Sequence, residues 1–468
     1  MTQKEKREMC MKVNRRFRAS KRSAGSAAAV LPVIALLVAS CSGGNAAPTS
    51  ADKTPDAKQP EAAATKDWTK EKVELTFYYM YDDDIEQNFR EGNGASIQKK
   101  YPNVTFKFIQ NKKGTTLADI IATKTNVDFF GDTQSGVSKL RDVGLMDDLS
   151  DLVKKHKVDL SKVEPNALNA YTFAGNGVLS GLPVKLNSTA LYYNKDLFDK
   201  FGVPYLTDNM TWEQIFETAK KLTRSDGGTP YYGLGLNISN MLYVNEKLPS
   251  LVNTQTRKAT LNTDYWKKMM ERIVPMATIS GNQAANNDLA NYGKSYIQFY
   301  KDRNIAIQVG NNTIYNILHQ NGDGMRWDIA TFPSFSDMPN AGPNSSPYGY
   351  FISKTSPNRE IAFLAIAALL EESAQLDAAR ISGAVPVIKN RSFLDVIGKD
   401  TQYLKGRNAK GLVPRTYGES LPVDPLYSAA TGALNTAFYN VVAGKSDINT
   451  ALREAEESAN QKISTLGK

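Results

Sequence analysis

Apolar and polar residues begin to alternate regularly near position 73. The segments Val73–Tyr79 and Val104–Ile109 are rich in β-branched and aromatic residues, and each predicts a strand. Helix-length segments follow both, and the short apolar run Val127–Phe130 predicts a third strand. Strands separated by crossovers of this length predict a parallel α/β sheet.

The alternation of strands and helices continues through the second half of the chain. Ala190–Tyr193 predicts a strand, and the capping-box pattern Thr211–Gln214 begins a predicted helix that ends at Leu222. A longer helix is predicted over Arg359–Gln375, with Ser356 as its N-cap and a proline at its first position. The length of 468 residues allows two to four domains at about 100–200 residues per domain.

Composition and charge exclude several classes of protein. The 468 residues are 41% hydrophobic and 22% charged, as in globular proteins. The net charge is +9, but residues 1–40 hold nine lysines and arginines and two acids, so the remainder carries only +2. This small charge beyond residue 40 is not enough to hold a phosphate backbone, which argues against a nucleic-acid partner. Two cysteines, Cys10 and Cys41, and two histidines cannot form a Cys/His zinc cluster, and we expect no cofactor.

The N-terminal segment has the layout of a secretory signal peptide over residues 1–40. A basic stretch precedes the apolar run Ala27–Ala39, which is too short to span a bilayer. The run Val38–Cys41 resembles the lipobox of bacterial lipoproteins, which implies that the Cys41 thiol carries a lipid. An ordinary signal peptide with a chance cysteine is the alternative. Residues 41–70 lack an apolar run and predict a flexible tether after the lipidated cysteine.

Segments beyond the tether resemble, in order and spacing, the family 1 extracellular solute-binding proteins. The resemblance covers about residues 72–468, although no single motif decides it. This family includes the sugar receptors of ABC importers and is of the maltose-binding-protein type. The segments that resemble the family are 128–132, 144–149, 181–202, 305–312, 327–333, 346–354 and 382–386.

The resemblance implies a two-lobed α/β fold of the periplasmic-binding-protein type II, with hinge crossings and a cleft between the lobes. The implied N-lobe covers residues 71–185 plus 354–392, and the implied C-lobe covers 190–347 plus 393–468. It also implies a carbohydrate ligand, an ABC permease as partner and a lipid anchor in the membrane. The protein would then lie at the outer face of the cytoplasmic membrane, and the long tether favours a Gram-positive bacterium.

Some candidate ligand residues follow predicted strands, because open α/β sheets bind ligands beyond their carboxyl ends. The resemblance implies that Asn311, Asn312 and Thr313 lie in the family's second-lobe ligand loop and that Tyr348 lies at the return hinge crossing. Sugars need short polar side chains for their hydroxyls and aromatic rings for their C–H faces. For each candidate, helix capping, a turn or a place in the core is the alternative. Trp212 is expected in the core. The candidates are Asp82, Asp83, Asp132, Thr133, Gln134, Asn237, Ser239, Asn311, Asn312, Thr313 and Tyr348.

Two other functions stay open on the sequence. A receptor of the same fold could bind a non-sugar solute such as a polyamine, a metal chelate or a sugar phosphate. A surface glycan-active enzyme would need two carboxylates across one sugar, and Asp82 with Asp132 would be the candidate pair. No nucleophile motif, Walker sequence or histidine-based triad is present, so we predict a binding protein without catalysis.

Overall fold

A computed structural model describes residues 66–81, 85–283, 292–322 and 324–466, without the side chains of 239, 292, 293 and 321. The predicted signal peptide, Cys41 and the tether as far as residue 65 lie outside the described residues, as do Asp82 and Asp83. Residues 66–468 form one compact unit. None of the described helices is both long enough and apolar enough to cross a membrane.

Twelve strands form in the described residues. They are β1 Val73–Tyr79, β2 Val104–Gln110, β3 Phe129–Thr133, β4 Leu182–Asn187, β5 Thr189–Asn194, β6 Arg224–Asp226, β7 Thr229–Gly235, β8 Val252–Asn253, β9 Lys258–Ala259, β10 Ile305–Asn311, β11 Trp327–Ala330 and β12 Ser346–Ile352. The strands predicted from alternation are all present, with ends that differ by a few residues.

Helices fill the intervals between the strands. The α-helices are Glu86–Phe89, Ala95–Lys100, Leu117–Ala122, Gln134–Asp142, Ser150–Lys155, Pro165–Ala174, Lys195–Phe201, Trp212–Leu222, Ile238–Leu242, Asp264–Ala277, Tyr292–Ile297, Tyr315–Asn321, Arg359–Ala368, Glu372–Ser382, Pro425–Val442 and Ile448–Thr465. π-Helical turns cover Arg90–Gly94 and Gln298–Asp302. 3-10 turns cover Leu160–Lys162, Arg391–Asp395, Gln402–Leu404 and Ala409–Leu412.

The first sheet has the strand order β2-β1-β3-β12-β4. β1 is parallel to β2 and β3, as predicted, whereas β12 is antiparallel to both β3 and β4. The sheet is therefore mixed, because β12 runs against the first three strands. Its aromatic face is packed tightly, and the rings of Phe77 and Phe129 stack with centroids 4.9 Å apart. We call this sheet with its helices the first lobe.

The second sheet has the order β11-β5-β10-β7-β6, and with its helices it forms the second lobe. β10 is parallel to β7 and antiparallel to β5. Trp212 and Trp266 are fully buried in its core, which confirms the expectation for Trp212. The capping box predicted at Thr211 and Gln214 also forms, because each side chain bonds the other residue's backbone N–H.

The chain crosses between the two lobes, and the first crossover is very short. β4 ends in the first sheet at Asn187 and β5 begins in the second at Thr189, so Ser188 alone separates them. β12 returns the chain from the second sheet to the first. A core cluster that includes Leu186 of β4 and Tyr192 of β5 packs beside this crossover. The described fold is the expected two-lobed α/β architecture, and the lobe limits given above stay a prediction.

The helix predicted over Arg359–Gln375 is wrong in its length and its cap. Two helices occupy this region, and the chain breaks between Ala368 and Glu372. Ser356 does not cap the first of them: its Oγ donates to Asp128 Oδ1 at 2.6 Å and accepts from the backbone N–H of Asn358 at 3.1 Å. Asp128 is buried, and Ser356 supplies one of its hydrogen bonds.

Candidate functional site

A buried carboxylate lies at the carboxyl edge of the first sheet. Asp132, near the end of β3, is fully buried, and its Oδ1 accepts hydrogen bonds from the Tyr81 hydroxyl and from the backbone N–H of Thr133 at 2.6 Å. Its Oδ2 has no hydrogen bond from the described residues, and Lys139 Nζ lies 3.5 Å away as an ion pair. Burial, and then the charge of Asp132, raises the pKa of Tyr81 to about 12. Tyr81 therefore stays a hydrogen-bond donor at neutral pH.

Thr133 and Gln134 continue this edge with uncharged groups. The Thr133 hydroxyl lies 2.9 Å from the Ser135 hydroxyl. Gln134 begins the helix that follows β3, and its Oε1 accepts from the Ser346 hydroxyl at 3.2 Å. Ser346 is the first residue of β12, so this hydrogen bond ties the β3 edge to the strand that returns from the second lobe.

Tyr348 lies in the core beneath the edge. Its ring packs against Tyr350 with centroids 5.8 Å apart, and Lys185 Nζ lies 4.8 Å from its ring centre. Its hydroxyl is buried without a hydrogen-bond partner from the described residues. A Cβ on Gly131 would lie 2.4 Å from this hydroxyl, so only glycine lets the tyrosine lie there. Burial raises the pKa of Tyr348 well above its usual value.

The second lobe presents asparagines at the matching edge. β7 and β10 are parallel neighbours, so their carboxyl ends lie side by side. Asn311 ends β10 and is exposed, and its Oδ1 accepts from Asn240 Nδ2 at 3.1 Å. Asn237 follows β7; it is buried, and its Oδ1 has no partner from the described residues. Ser239 lies on the short helix Ile238–Leu242 that follows Asn237, and its side chain is not described.

Asn312 holds the crossover between the lobes. It is 3% exposed, its Oδ1 accepts from the backbone N–H of Ser188 at 3.2 Å, and its Nδ2 donates to the carbonyl of Leu186 at 3.1 Å. The amide is thus bonded at one end to Leu186 near the end of β4 and at the other end to Ser188, which follows that strand. Thr313 is partly buried in the following turn, where its carbonyl accepts from the backbone N–H of Asn316 at 3.1 Å.

The two edges meet at the crossover. Ser346 is paired in register with Asn187, the residue before Ser188. Gln134 is bonded to Ser346 on one side, and Asn312 is bonded to Ser188 on the other. Residues predicted after β3 and after β10 are therefore brought to one place. Most of the side chains there are amides and hydroxyls.

Two residues of this place were not predicted from the sequence. Tyr81 lies just before the acidic run, and Ser346 precedes Tyr348 by two residues. Of these residues, only Tyr81 had a signal in the sequence that could have marked it as part of the site, because it lies two residues beyond a predicted strand. Among the described residues, no group of three His, Cys, Asp or Glu side chains could hold a metal ion.

Two mixed sheets joined by chain crossovers, with polar groups collected where their edges meet, define a two-lobed binding protein. The family model described as "Bacterial extracellular solute-binding protein" matches residues 94–403, which is more than half of the chain. The chain therefore belongs to the bacterial extracellular solute-binding protein family. This family comprises binding proteins rather than enzymes.

Similar proteins agree with this assignment. A sugar transporter from Rhizobium etli in an open conformation has a TM-score of 0.66 at 22% identity, over 84% of this chain and 100% of that chain. An ABC substrate-binding protein from Listeria monocytogenes in complex with cycloalternan has a TM-score of 0.62 at 20% identity, with the same coverage. A segment of 95 residues is 34% identical to the sn-glycerol-3-phosphate-binding periplasmic protein UgpB of Agrobacterium fabrum, covering 20% of this chain and 22% of that protein.

Proposed function

We propose that this protein is the receptor of an ABC importer, which binds a sugar or oligosaccharide between its lobes and delivers it to a membrane permease. The observation that supports a sugar is the chemistry of the two edges. Amides and hydroxyls predominate, with tyrosines beside them, and this is the combination that recognises sugar hydroxyls and C–H faces. The solutes named for two similar structures, a sugar and cycloalternan, point the same way.

The finer parts of the proposal follow the sequence. Cys41 would carry the lipid anchor, which would hold the receptor at the outer face of the cytoplasmic membrane near its permease. The lobe limits predicted above belong to the same proposal. The residues proposed to form the solute site are Asp82, Asp83, Asp132, Thr133, Gln134, Asn237, Ser239, Asn311, Asn312, Thr313 and Tyr348.

A phosphorylated polyol is the second candidate solute. The UgpB relative is named for sn-glycerol-3-phosphate, and Lys139 and Lys185 lie at the edge of the first sheet. Lys139, however, is paired with Asp132, and the second-lobe edge offers asparagines rather than cations. A neutral solute therefore fits the edges better.

A thermal-shift screen with the purified protein tests both candidates. The screen contains glucose, maltotriose, mannobiose and sn-glycerol-3-phosphate. A solute at about 100 times its Kd stabilises the folded state by about 2.7 kcal/mol, a rise of a few degrees in Tm. A rise with a saccharide that stays intact supports the sugar receptor, and a rise with glycerol phosphate alone supports the second candidate. Hydrolysis of the saccharide would support the enzyme instead.

A further inference from the structure

Tyr81 presents an aromatic ring at the carboxyl edge of the first sheet. It lies two residues beyond the end of β1, and its hydroxyl donates to Asp132 in the neighbouring strand β3. Because β1 and β3 are adjacent and parallel, with Tyr79 opposite Gly131, the ring extends from one strand end to the other. Tyr81 is 37% exposed, so part of this ring is open to solvent.

Two contacts fix the position of the Tyr81 ring. At its tip, the hydroxyl is held by Asp132, whose Oδ1 is itself oriented by the backbone N–H of Thr133 at 2.6 Å. Along its side, the ring packs against Tyr79 with centroids 5.5 Å apart and planes inclined by 57°. A ring that is already ordered loses little conformational entropy when a ligand packs against it.

Other tyrosines near this edge do not present their rings. Tyr79 is 7% exposed and Tyr348 is 8% exposed, and both belong to the core cluster of the first lobe. Asp132 is fully buried, so its carboxylate has far less access to solvent than the ring that it holds. The accessible group of this cluster is the Tyr81 ring.

We propose that Tyr81 is the platform on which a sugar ring of the solute stacks, and that Asp132 is a positioning residue that holds Tyr81. This inference rests on the proposed function and adds the contact that recognises the sugar's C–H face. Aromatic faces suit this contact because a sugar ring has an apolar face as well as its hydroxyls. The role of Asp132 then differs from the direct contact predicted from the sequence.

Tyr205 provides a matched control. It is also 37% exposed, and its hydroxyl donates to an aspartate, Asp199, at 2.7 Å. It follows the helix Lys195–Phe201, which begins where β5 ends, whereas the crossover is at the start of β5. Tyr205→Ala therefore removes an equally exposed, equally anchored tyrosine ring away from the edge where the lobes meet.

Titration calorimetry with glucose, maltotriose and mannobiose tests the platform. Tyr81→Ala is expected to raise the Kd by at least about tenfold, as a lost aromatic anchor does. Tyr81→Phe keeps the ring but loses its hydrogen bond to Asp132, so it is expected to raise the Kd by less than Tyr81→Ala and by about as much as Asp132→Ala. Tyr205→Ala is expected to leave the Kd unchanged. Thermal unfolding of each variant shows that it is folded.

The positioning role of Asp132 is tested in two backgrounds. Asp132→Asn keeps an acceptor for the Tyr81 hydroxyl, so its Kd is expected to stay near the wild-type value. Asp132→Ala is expected to weaken binding in the wild-type background and to have no further effect in Tyr81→Ala. Additive losses, or a large loss in Asp132→Asn, would show that the carboxylate binds the solute itself and would overturn this role.

The outcomes separate this inference from the proposed function. If the wild type binds none of the three sugars, the sugar-receptor proposal fails and the platform fails with it. If the wild type binds one of them and folded Tyr81→Ala binds it equally well, the platform alone is overturned. If Tyr205→Ala binds the sugar as weakly as Tyr81→Ala, the platform is also overturned, because the loss of affinity would then not depend on the edge where the lobes meet.

Discussion

Replacing Asn312 with alanine removes both side-chain hydrogen bonds that hold the β4–β5 crossover. The amide bonds the backbone N–H of Ser188 at 3.2 Å and the carbonyl of Leu186 at 3.1 Å, and all three residues are almost fully buried. A buried backbone group left without a partner costs about 1–3 kcal/mol. Two such groups give an expected loss of about 2–6 kcal/mol in the free energy of unfolding. The backbone bond between Asn312 N and the Ser188 carbonyl remains and limits the loss.

Urea unfolding of Asn312→Ala and of a neighbouring control measures this loss. Asn311→Ala is the control, because Asn311 is exposed and its side chain accepts one hydrogen bond, from Asn240. Its cost is expected to be below about 0.5 kcal/mol, as for surface substitutions in general. Asn312→Asp should be at least as unstable as Asn312→Ala, since a carboxylate oxygen would face the Leu186 carbonyl.

One result would refute this reasoning. If Asn312→Ala unfolds at the same urea concentration as the wild type but no longer binds solute, then Asn312 does not support the crossover. The residue would then be a solute contact, as the sequence predicts. A stability loss with binding retained in the folded fraction would instead establish the crossover role.

Two further predictions concern the first lobe. Gly131→Ala should destabilise the fold by about 1–3 kcal/mol, because its Cβ would lie 2.4 Å from the Tyr348 hydroxyl. Gly92→Ala is the control: its Cβ would meet nothing within 4 Å, so its cost should be far smaller. Urea unfolding measures both losses. A hydrogen bond from the Arg359 guanidinium lowers the pKa of Asp151 in the folded protein. The ionised carboxylate therefore stabilises the fold at pH values above its pKa in the unfolded chain, and this stabilisation is lost as the pH falls through the lower pKa of the folded state. The Tm should therefore fall between about pH 5 and pH 3, and less steeply in Arg359→Met; an equal slope in the variant would contradict this cause.

The sequence was most informative where burial decides the structure. Val104–Gln110 alternates because one face of the strand is buried, whereas Val73–Tyr79 is buried on both faces from Leu75 onward and is marked by its apolar and aromatic residues. Both patterns are visible in a single chain. The antiparallel direction of β12 could not be predicted in this way, since it depends on where the chain returns from the second lobe. The break between Ala368 and Glu372 also lacks a proline or glycine that would have indicated it.

The candidate site was predicted less completely than the fold. Asn311 and Asn312 are the same amino acid at adjacent positions, yet one is exposed and the other is bonded to the crossover. That difference arises because β10 ends beside Ser188, a tertiary relation that no local pattern contains. Tyr81 was missed for a similar reason: its importance comes from Asp132, 51 residues further along the chain.

Hydrogen–deuterium exchange of the protein with and without its saccharide tests the central claim most directly. If the sugar binds between the lobes, slower exchange is expected at both edges together: in residues 131–135 of the first lobe, in residues 237–240 and 311–313 of the second, and in the crossover 186–189. Tyr81 should lie within a protected peptide as well. Protection of one lobe only, or protection that leaves the crossover and both edges unchanged while the sugar is bound, would contradict a site between the lobes.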